Sequence, residues 1–311
     1  MNNERPLKAY GWIWLKGMAM GAADLIPGVS GGTIALISGI YDELLASIAN
    51  LHPRLILQGF RTGWKGVWKE ANGPFLLALA GGILSSVVLL SNILHHLLSN
   101  HKEALYAFFF GLVAASVPLV GKTVASWNGK HVLWGLVGTL IAATITSLPP
   151  SDVGSELWVL ALCASVAACA MILPGISGSF ILLLLGAYGT VIGALKDLDI
   201  MRIAAICCGA LIGLLGFSRI LKKLLSRARN QTLSLLTGFL LGSLQALWPW
   251  KQNLSLLYTH SDGREIWSQT NAWPGMEAMD MLLICGVSAL VGIAVILGLN
   301  RLGNTSSAPS K

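Results

Sequence analysis

The chain has 311 residues, 54% of them apolar and only 11% charged, where soluble domains average about 25% charged. Seven stretches (75–101, 104–121, 132–151, 157–195, 203–218, 230–250 and 281–300) carry no charge at all, and a helix needs roughly 20 mainly apolar residues to cross a bilayer. This excludes a water-soluble globular protein, and the net charge of +7 has to be read from where the charges lie.

In chain order the sequence predicts a hairpin over about 9–49 and crossings over about 75–98, 104–121 and 131–148. A second hairpin follows over about 156–195, then crossings over about 202–221, 230–250 and 279–299, and a disordered tail over 303–311. The fold class is an all-α polytopic membrane protein. Between the first hairpin and the first crossing, "RTGWKGVWKE" reads as a basic, Trp-bearing stretch on the inner surface. The outer loop over about 251–278 holds Trp267 and Trp273, with Trp248 and Trp250 just before it, as in an interfacial aromatic belt.

Threaded this way, 16 of the 21 basic residues fall on one side. The other side receives Lys102, Lys196, Arg202, Lys251 and Arg264. Cytoplasmic loops carry the Lys/Arg excess, so both termini are expected inside. Anionic lipid and that same rule account for the positive charge without nucleic acid.

The hairpin tips, "IPGVSGGT" and "LPGISGSF", hold no charge, which favours re-entrant hairpins with tips buried near the midplane. They are also copies. A shift of 147 residues matches eight of the sixteen positions in 26–41, including Pro27, Gly28, Ser30, Gly31, Gly39 and Tyr41 with Pro174, Gly175, Ser177, Gly178, Gly186 and Tyr188. Each half, 1–148 and 149–302, is then a hairpin plus three crossings. Three is odd, so the second half starts from the opposite side, an inverted-topology repeat of the kind common in secondary transporters.

Proline removes a backbone donor and glycine permits a sharp turn, so a helix breaks and a new one begins at each tip. The first turn of a helix leaves amides unpaired and carries partial positive charge. Unpaired amides in lipid must face protein, water or a ligand. Gly28, Ser30, Gly31, Gly32 and Thr33, with Gly175, Ser177, Gly178 and Ser179, suit an anion, a phosphate above all. The plainer reading makes Ser30 and Ser177 ordinary helix caps.

Asp24, whose counterpart is Met171, is the only acid between Glu4 and Asp42. It is a candidate to couple transport to a proton or cation gradient, or it pairs with Lys16 or caps an arm. Lys16 either attracts a phosphate or snorkels to the inner surface. Tyr41 and Tyr188 are accessory candidates. Asp42 and Glu43 read as solvated ends, and His95 and His96 as interfacial. No cofactor or metal ligand set is expected. The cysteines read as small hydrophobes. "GMAMG", "GALIG" and "GFLLG" are small-xxx-small helix contacts that mean little alone.

Together "KGMAMGAADLIPGVSGGTIALISGIYDEL", "AMILPGISGSFILLLLGAYGTVIGAL" and "GSLQALWPWK" resemble the PopT family of bacterial inner-membrane proteins, over nearly the whole chain. The resemblance implies a polyprenyl-phosphate transporter that returns undecaprenyl phosphate, the lipid carrier of cell-wall sugars, to the cytoplasmic leaflet. Undecaprenyl phosphate and membrane lipids would be its partners, with a homo-oligomer left open. Membrane undecaprenyl-pyrophosphate phosphatases also use inverted hairpins, but Gly31 and Gly178 stand where their loop has an arginine. A phosphoryl-transfer site without cationic stabilisation or a general base would be poor. Transport of a small soluble anion is a third reading.

Overall fold

The computed structural model describes residues 5–26, 28–52, 55, 59–60, 63–149, 151, 153–259, 265–274 and 279–305. Pro27 of the first tip and residues 306–311 of the expected tail lie outside them. The helices are α1 (Leu7–Asp24), α2 (Gly31–Ile37), α3 (Tyr41–Asn50), α4 (Trp64–Glu70), α5 (Gly73–Asn100), α6 (Lys102–Gly121) and α7 (Gly129–Ser147). Then come α8 (Leu157–Ile172), α9 (Gly178–Leu184), α10 (Tyr188–Lys196), α11 (Ile200–Arg227), α12 (Arg229–Ser243) and α13 (Met279–Thr305). Local chemistry sets several starts. Asn128 caps α7 by accepting the His131 N–H at 3.1 Å, Asp199 caps α11 by accepting that of Arg202 at 3.1 Å, and a proline sits in the first turn of α5.

Among the described residues, α5, α6, α11 and residues 281–298 of α13 are long and apolar enough to cross a membrane. Leu84 and Val88 of α5, Ile212 of α11 and Leu283 of α13 are exposed, which suits a lipid-facing surface. The crossing expected over 230–250 is not one helix. α12 has 15 residues, then tightens into a 3-10 turn at Leu244–Leu247 before Pro249.

The long helices pack in pairs: α1 on α5, α8 on α11, α6 on α13 and α7 on α12. The first two pairs lie within one sequence half. The other two join the halves, and in each the second expected crossing of one half meets the third of the other. Backbone touches backbone at every crossing. A Cβ on Gly17 would fall on the Leu79 carbonyl, on Gly209 on that of Ala161, on Gly111 on that of Ala289, and on Gly238 on that of Gly135. "GMAMG", "GALIG" and "GFLLG" thus sit at three of the four crossings.

The second arm of each hairpin is not a single helix. α2 bends into α3 by 118°, and α9 into α10 by 108°. Gly39 and Gly186 make these turns at φ 74° and 70°, as Gly28 and Gly175 make the tips at 87° and 85°. Both pairs obey the 147-residue shift, and only glycine holds such φ without strain. Basic side chains surround α3. Arg5 pairs with Glu43 at 2.9 Å and Arg229 with Asp42 at 2.8 Å, while Arg219 donates to the Leu51 carbonyl at 2.8 Å and Lys222 to Asn50 at 3.1 Å. All four belong to the set of 16 sorted to one side. Asp42 and Glu43 are therefore ion-paired, though exposure keeps such pairs weak.

The all-α expectation fails after Pro249. Strands β1 (Lys251–Thr259) and β2 (Glu265–Asn271) pair antiparallel, with Lys251 opposite Asn271. The apolar run ends there, and short runs mixing polar and apolar residues can half-bury a hairpin but not a spanning helix. Trp273 just beyond is 85% exposed, while the Trp267 side chain lies outside the described set. α4 buries no residue and exposes Trp64 and Trp68. α13 continues through residues 303–305, so the expected tail begins later than its sequence suggests.

Candidate functional site

The two hairpin tips meet inside the bundle. Ser30, Thr33 and Ser177 are all buried. Ser30 caps α2, its Oγ accepting the Gly32 N–H at 3.1 Å, and the same hydroxyl donates across to the Leu173 carbonyl at 3.2 Å. Thr33 Oγ1 accepts the Gly175 N–H at 2.9 Å. The Tyr41 hydroxyl, fully buried, donates to the Ile172 carbonyl at 3.0 Å. A Cβ at Gly32 would lie 2.7 Å from that same carbonyl, so glycine is what lets the first tip close on the end of α8.

Asp24 ends α1, and its Oδ1 accepts the Gly31 N–H at 2.7 Å. A Cβ on Gly31 would collide with the carboxylate. Lys16, two turns earlier, donates to the Ser38 carbonyl at the other end of α2, at 2.7 Å. α1 therefore sets a carboxylate at the positive end of α2 and an ammonium at its negative end, the favourable arrangement for the helix dipole. Lys16 reaches neither a tip nor Asp24. The first-turn amides of α2 are all engaged here, with that of Thr33 donating to the Ser30 carbonyl at 3.0 Å.

The second tip differs. Met171 stands where Asp24 would, and Ser177 opens α9 without a side-chain cap. Its hydroxyl shares a hydrogen bond with Ser179 at 2.8 Å. A Cβ on Gly178 would lie 2.9 Å from the Ala167 carbonyl. Tyr188 opens α10 and is half-buried.

The floor beneath both tips comes from residues 239–246, which the sequence marks only as a helix-contact stripe and as part of the family resemblance. A Cβ on Gly175 would stand 2.8 Å from the Phe239 carbonyl and from Ser243 Oγ, and one on Gly28 3.7 Å from the Ala246 carbonyl. The Gln245 amide ties this stretch to α7, donating to the Ala143 carbonyl, Thr146 Oγ1 and Ser147 Oγ. The available signal was a glutamine and a Trp-Pro-Trp closing an otherwise apolar run. Among the described residues no group of three or more His, Cys, Asp or Glu could hold a metal ion. The site holds hydroxyls, backbone N–H groups and one carboxylate, bonded here to one another.

The model of a family described as Undecaprenyl phosphate translocase-like matches residues 20–266. A "Polyprenyl-phosphate transporter" of Vibrio cholerae is 42% identical over 293 residues, covering 93% of this chain and 95% of its own. A Staphylococcus aureus protein of the same name is 36% identical over 265 residues, 78% of this chain and 88% of its own. No solved structure matches the chain.

Proposed function

The chain belongs to the Undecaprenyl phosphate translocase-like family, and from that premise we propose that it carries undecaprenyl phosphate across the bacterial inner membrane to the cytoplasmic leaflet. The relatives' shared name supports a polyprenyl phosphate as cargo and transport rather than catalysis. The tail can stay in the bilayer. The head cannot cross unaided, because burying an unpaired charge costs far more than burying a neutral polar group.

The observation that carries the mechanism is the hydrogen bond from the Gly175 N–H to Thr33 Oγ1, one tip's backbone on the other tip's side chain. Parting the tips frees polar groups that then need a partner, and a phosphate supplies acceptors for them. Gly28, Ser30, Gly31, Gly32 and Thr33 hold it from one side, Gly175, Ser177, Gly178 and Ser179 from the other. Tyr41 latches the closed state, with Tyr188 as its counterpart. Asp24 has to release the Gly31 amide before a phosphate can take it. Protonation or capture of a cation does this, which couples transport to a gradient.

Halves 1–148 and 149–302 form an inverted repeat of re-entrant hairpins that rock to open the site alternately. Support comes from the equal spacing of the four turn glycines and from the reciprocal pairing of α6 with α13 and α7 with α12. The sorting of basic residues supports cytoplasmic termini.

Reconstitution in liposomes with labelled undecaprenyl phosphate tests this reading. Leaflet transfer without phosphate release is expected. Hydrolysis of the pyrophosphate form would replace it with an enzyme, and uptake of soluble phosphate without lipid transfer would replace it with a small-anion carrier.

A further inference from the structure

We infer a second anion site at the end of the bundle that carries the β-hairpin, where Lys102, Lys251 and the Trp250 indole take the phosphate monoester head of the lipid before it reaches the tips. The inference rests on the transport reading above and adds a loading station to it.

Lys102, Tyr106 and Phe110 lie at i, i+4 and i+8 along α6, on one face. The chain after α12 folds over that face. Trp248 meets Phe110 edge-on with ring centroids 5.9 Å apart. Lys251 Nζ stands 5.6 Å from the centre of the Tyr106 ring, and Lys102 Nζ stands 5.8 Å from the same point. Tyr106 is buried and both lysines are half-buried. Two of the five basic residues sorted to the sparser side, 149 positions apart in sequence, thus converge on one ring.

An aromatic face attracts each ammonium, but the two repel each other. That repulsion, added to burial as the larger cause, brings the Lys251 ammonium down to a pKa of about 8. A dianion held between them offsets both effects by attracting each ammonium, and a phosphate monoester carries about −1.5 to −2 at neutral pH. Trp250 precedes Lys251 in the chain, and its indole N–H is buried with no hydrogen-bond partner among the described residues. A donor in that state calls for an acceptor.

Position gives the site its role. Lys251 donates to the Ala246 carbonyl at 2.8 Å, and that carbonyl is among the nearest atoms to the open side of Gly28. Lys251 is therefore one residue removed from the first tip. The neighbouring wall is aromatic: Trp248 packs against Trp250 at 5.6 Å and against exposed Trp273 at 5.3 Å. Such a wall suits the isoprenoid unit that follows the phosphate, and it favours the lipid head over free phosphate.

The test uses the full chain in nanodiscs, with undecaprenyl phosphate and uncharged undecaprenol as probes. Lys102→Gln and Lys251→Gln should each weaken binding of the phosphate lipid about tenfold, the loss of one charge-assisted contact. Binding of undecaprenol should not change, and Lys251→Arg should retain most of the affinity. Wild-type affinity in a folded double glutamine variant overturns the site, as does displacement of the lipid by millimolar inorganic phosphate. If the double variant does not fold, the single variants and the arginine rescue decide. Wild-type protein that moves no lipid refutes the transport reading, whereas a double variant that binds and moves it normally refutes only this site.

Discussion

The hydroxyl of Thr33 accepts the backbone hydrogen of Gly175 at 2.9 Å, which bonds one hairpin tip to the other. Thr33→Val keeps the shape and removes the acceptor. It leaves a buried N–H unpaired, at a cost of about 1–3 kcal/mol. Thermal unfolding in detergent should register that loss, and Thr33→Ser should restore most of it. A valine variant as stable as the parent would mean that the tips do not hold each other.

Ser30 and Ser177 occupy the same place in the repeat but bond differently, Ser30 across to Leu173 and Ser177 to its neighbour Ser179. Ser30→Ala alone also loses a helix cap, at about 0.5–2 kcal/mol. The double variant with Ser177→Ala should remain folded and lose leaflet transfer entirely. Full transfer in the double variant would remove both hydroxyls from the site.

Asp24→Asn separates the hydrogen bond from the charge. The amide oxygen can still accept from Gly31 N–H, so the fold should lose only the dipole interaction, about 0.3–1 kcal/mol. What disappears is the ability to take up a proton or a cation. In liposomes the wild-type rate should respond to an imposed gradient and the variant rate should not. An equal response in both would end the coupling role.

The tips were legible in the sequence because Pro-Gly-x-Ser-Gly inside apolar runs has few structural solutions and occurs twice. The break at Gly39 and Gly186 is visible as a match, yet nothing in the pattern separates it from a continuous arm. A lone glycine in an apolar run looks the same whether it packs against a helix or turns at positive φ. The small-xxx-small stripes were equally visible, but a stripe does not name its partner, and all three find one only in the packed bundle. Lys102 and Lys251 carry no pattern linking them, since they meet only when the Trp-Pro-Trp segment folds across α6. The β-hairpin is not legible because its mixed polar and apolar residues resemble a loop when the rest of the chain is apolar.

Gly238 lies where α12 crosses α7, and a Cβ there would fall on the Gly135 carbonyl. Gly238→Val forces two backbones apart, and overpacking of this kind costs about 1–3 kcal/mol or more. Folded protein recovered from membranes should fall sharply. Gly216→Ala, where an added Cβ meets nothing within 4 Å, is the control and should stay within about 0.5 kcal/mol of the parent. Equal losses at both positions would show that close approach is not what holds the pair.

Lys251 gives a pH dependence with two opposite signs. Its pKa lies near 8, below the ordinary 10.5, first through burial and then through Lys102. Among the described residues, Lys102 and Tyr106 are the titratable groups that α6 brings to it, with Glu103 acting on Lys102. From about pH 7 to 8 the lipid phosphate is largely dianionic, its second pKa being about 6, and Lys251 still carries its charge. Affinity for undecaprenyl phosphate should be highest there and should fall as pH rises through 8. Stability should move the other way. Between the folded value near 8 and the unfolded value near 10.5 the unfolded chain binds more protons, so the apo protein gains stability with pH across that window. Lys251→Arg stays charged throughout and should lose both trends, while undecaprenol binding should be flat in either protein. Binding titrations and melting curves over pH 7–10 measure the two signs separately, and a wild-type affinity that does not fall above pH 8 would exclude Lys251 from contact with the head group.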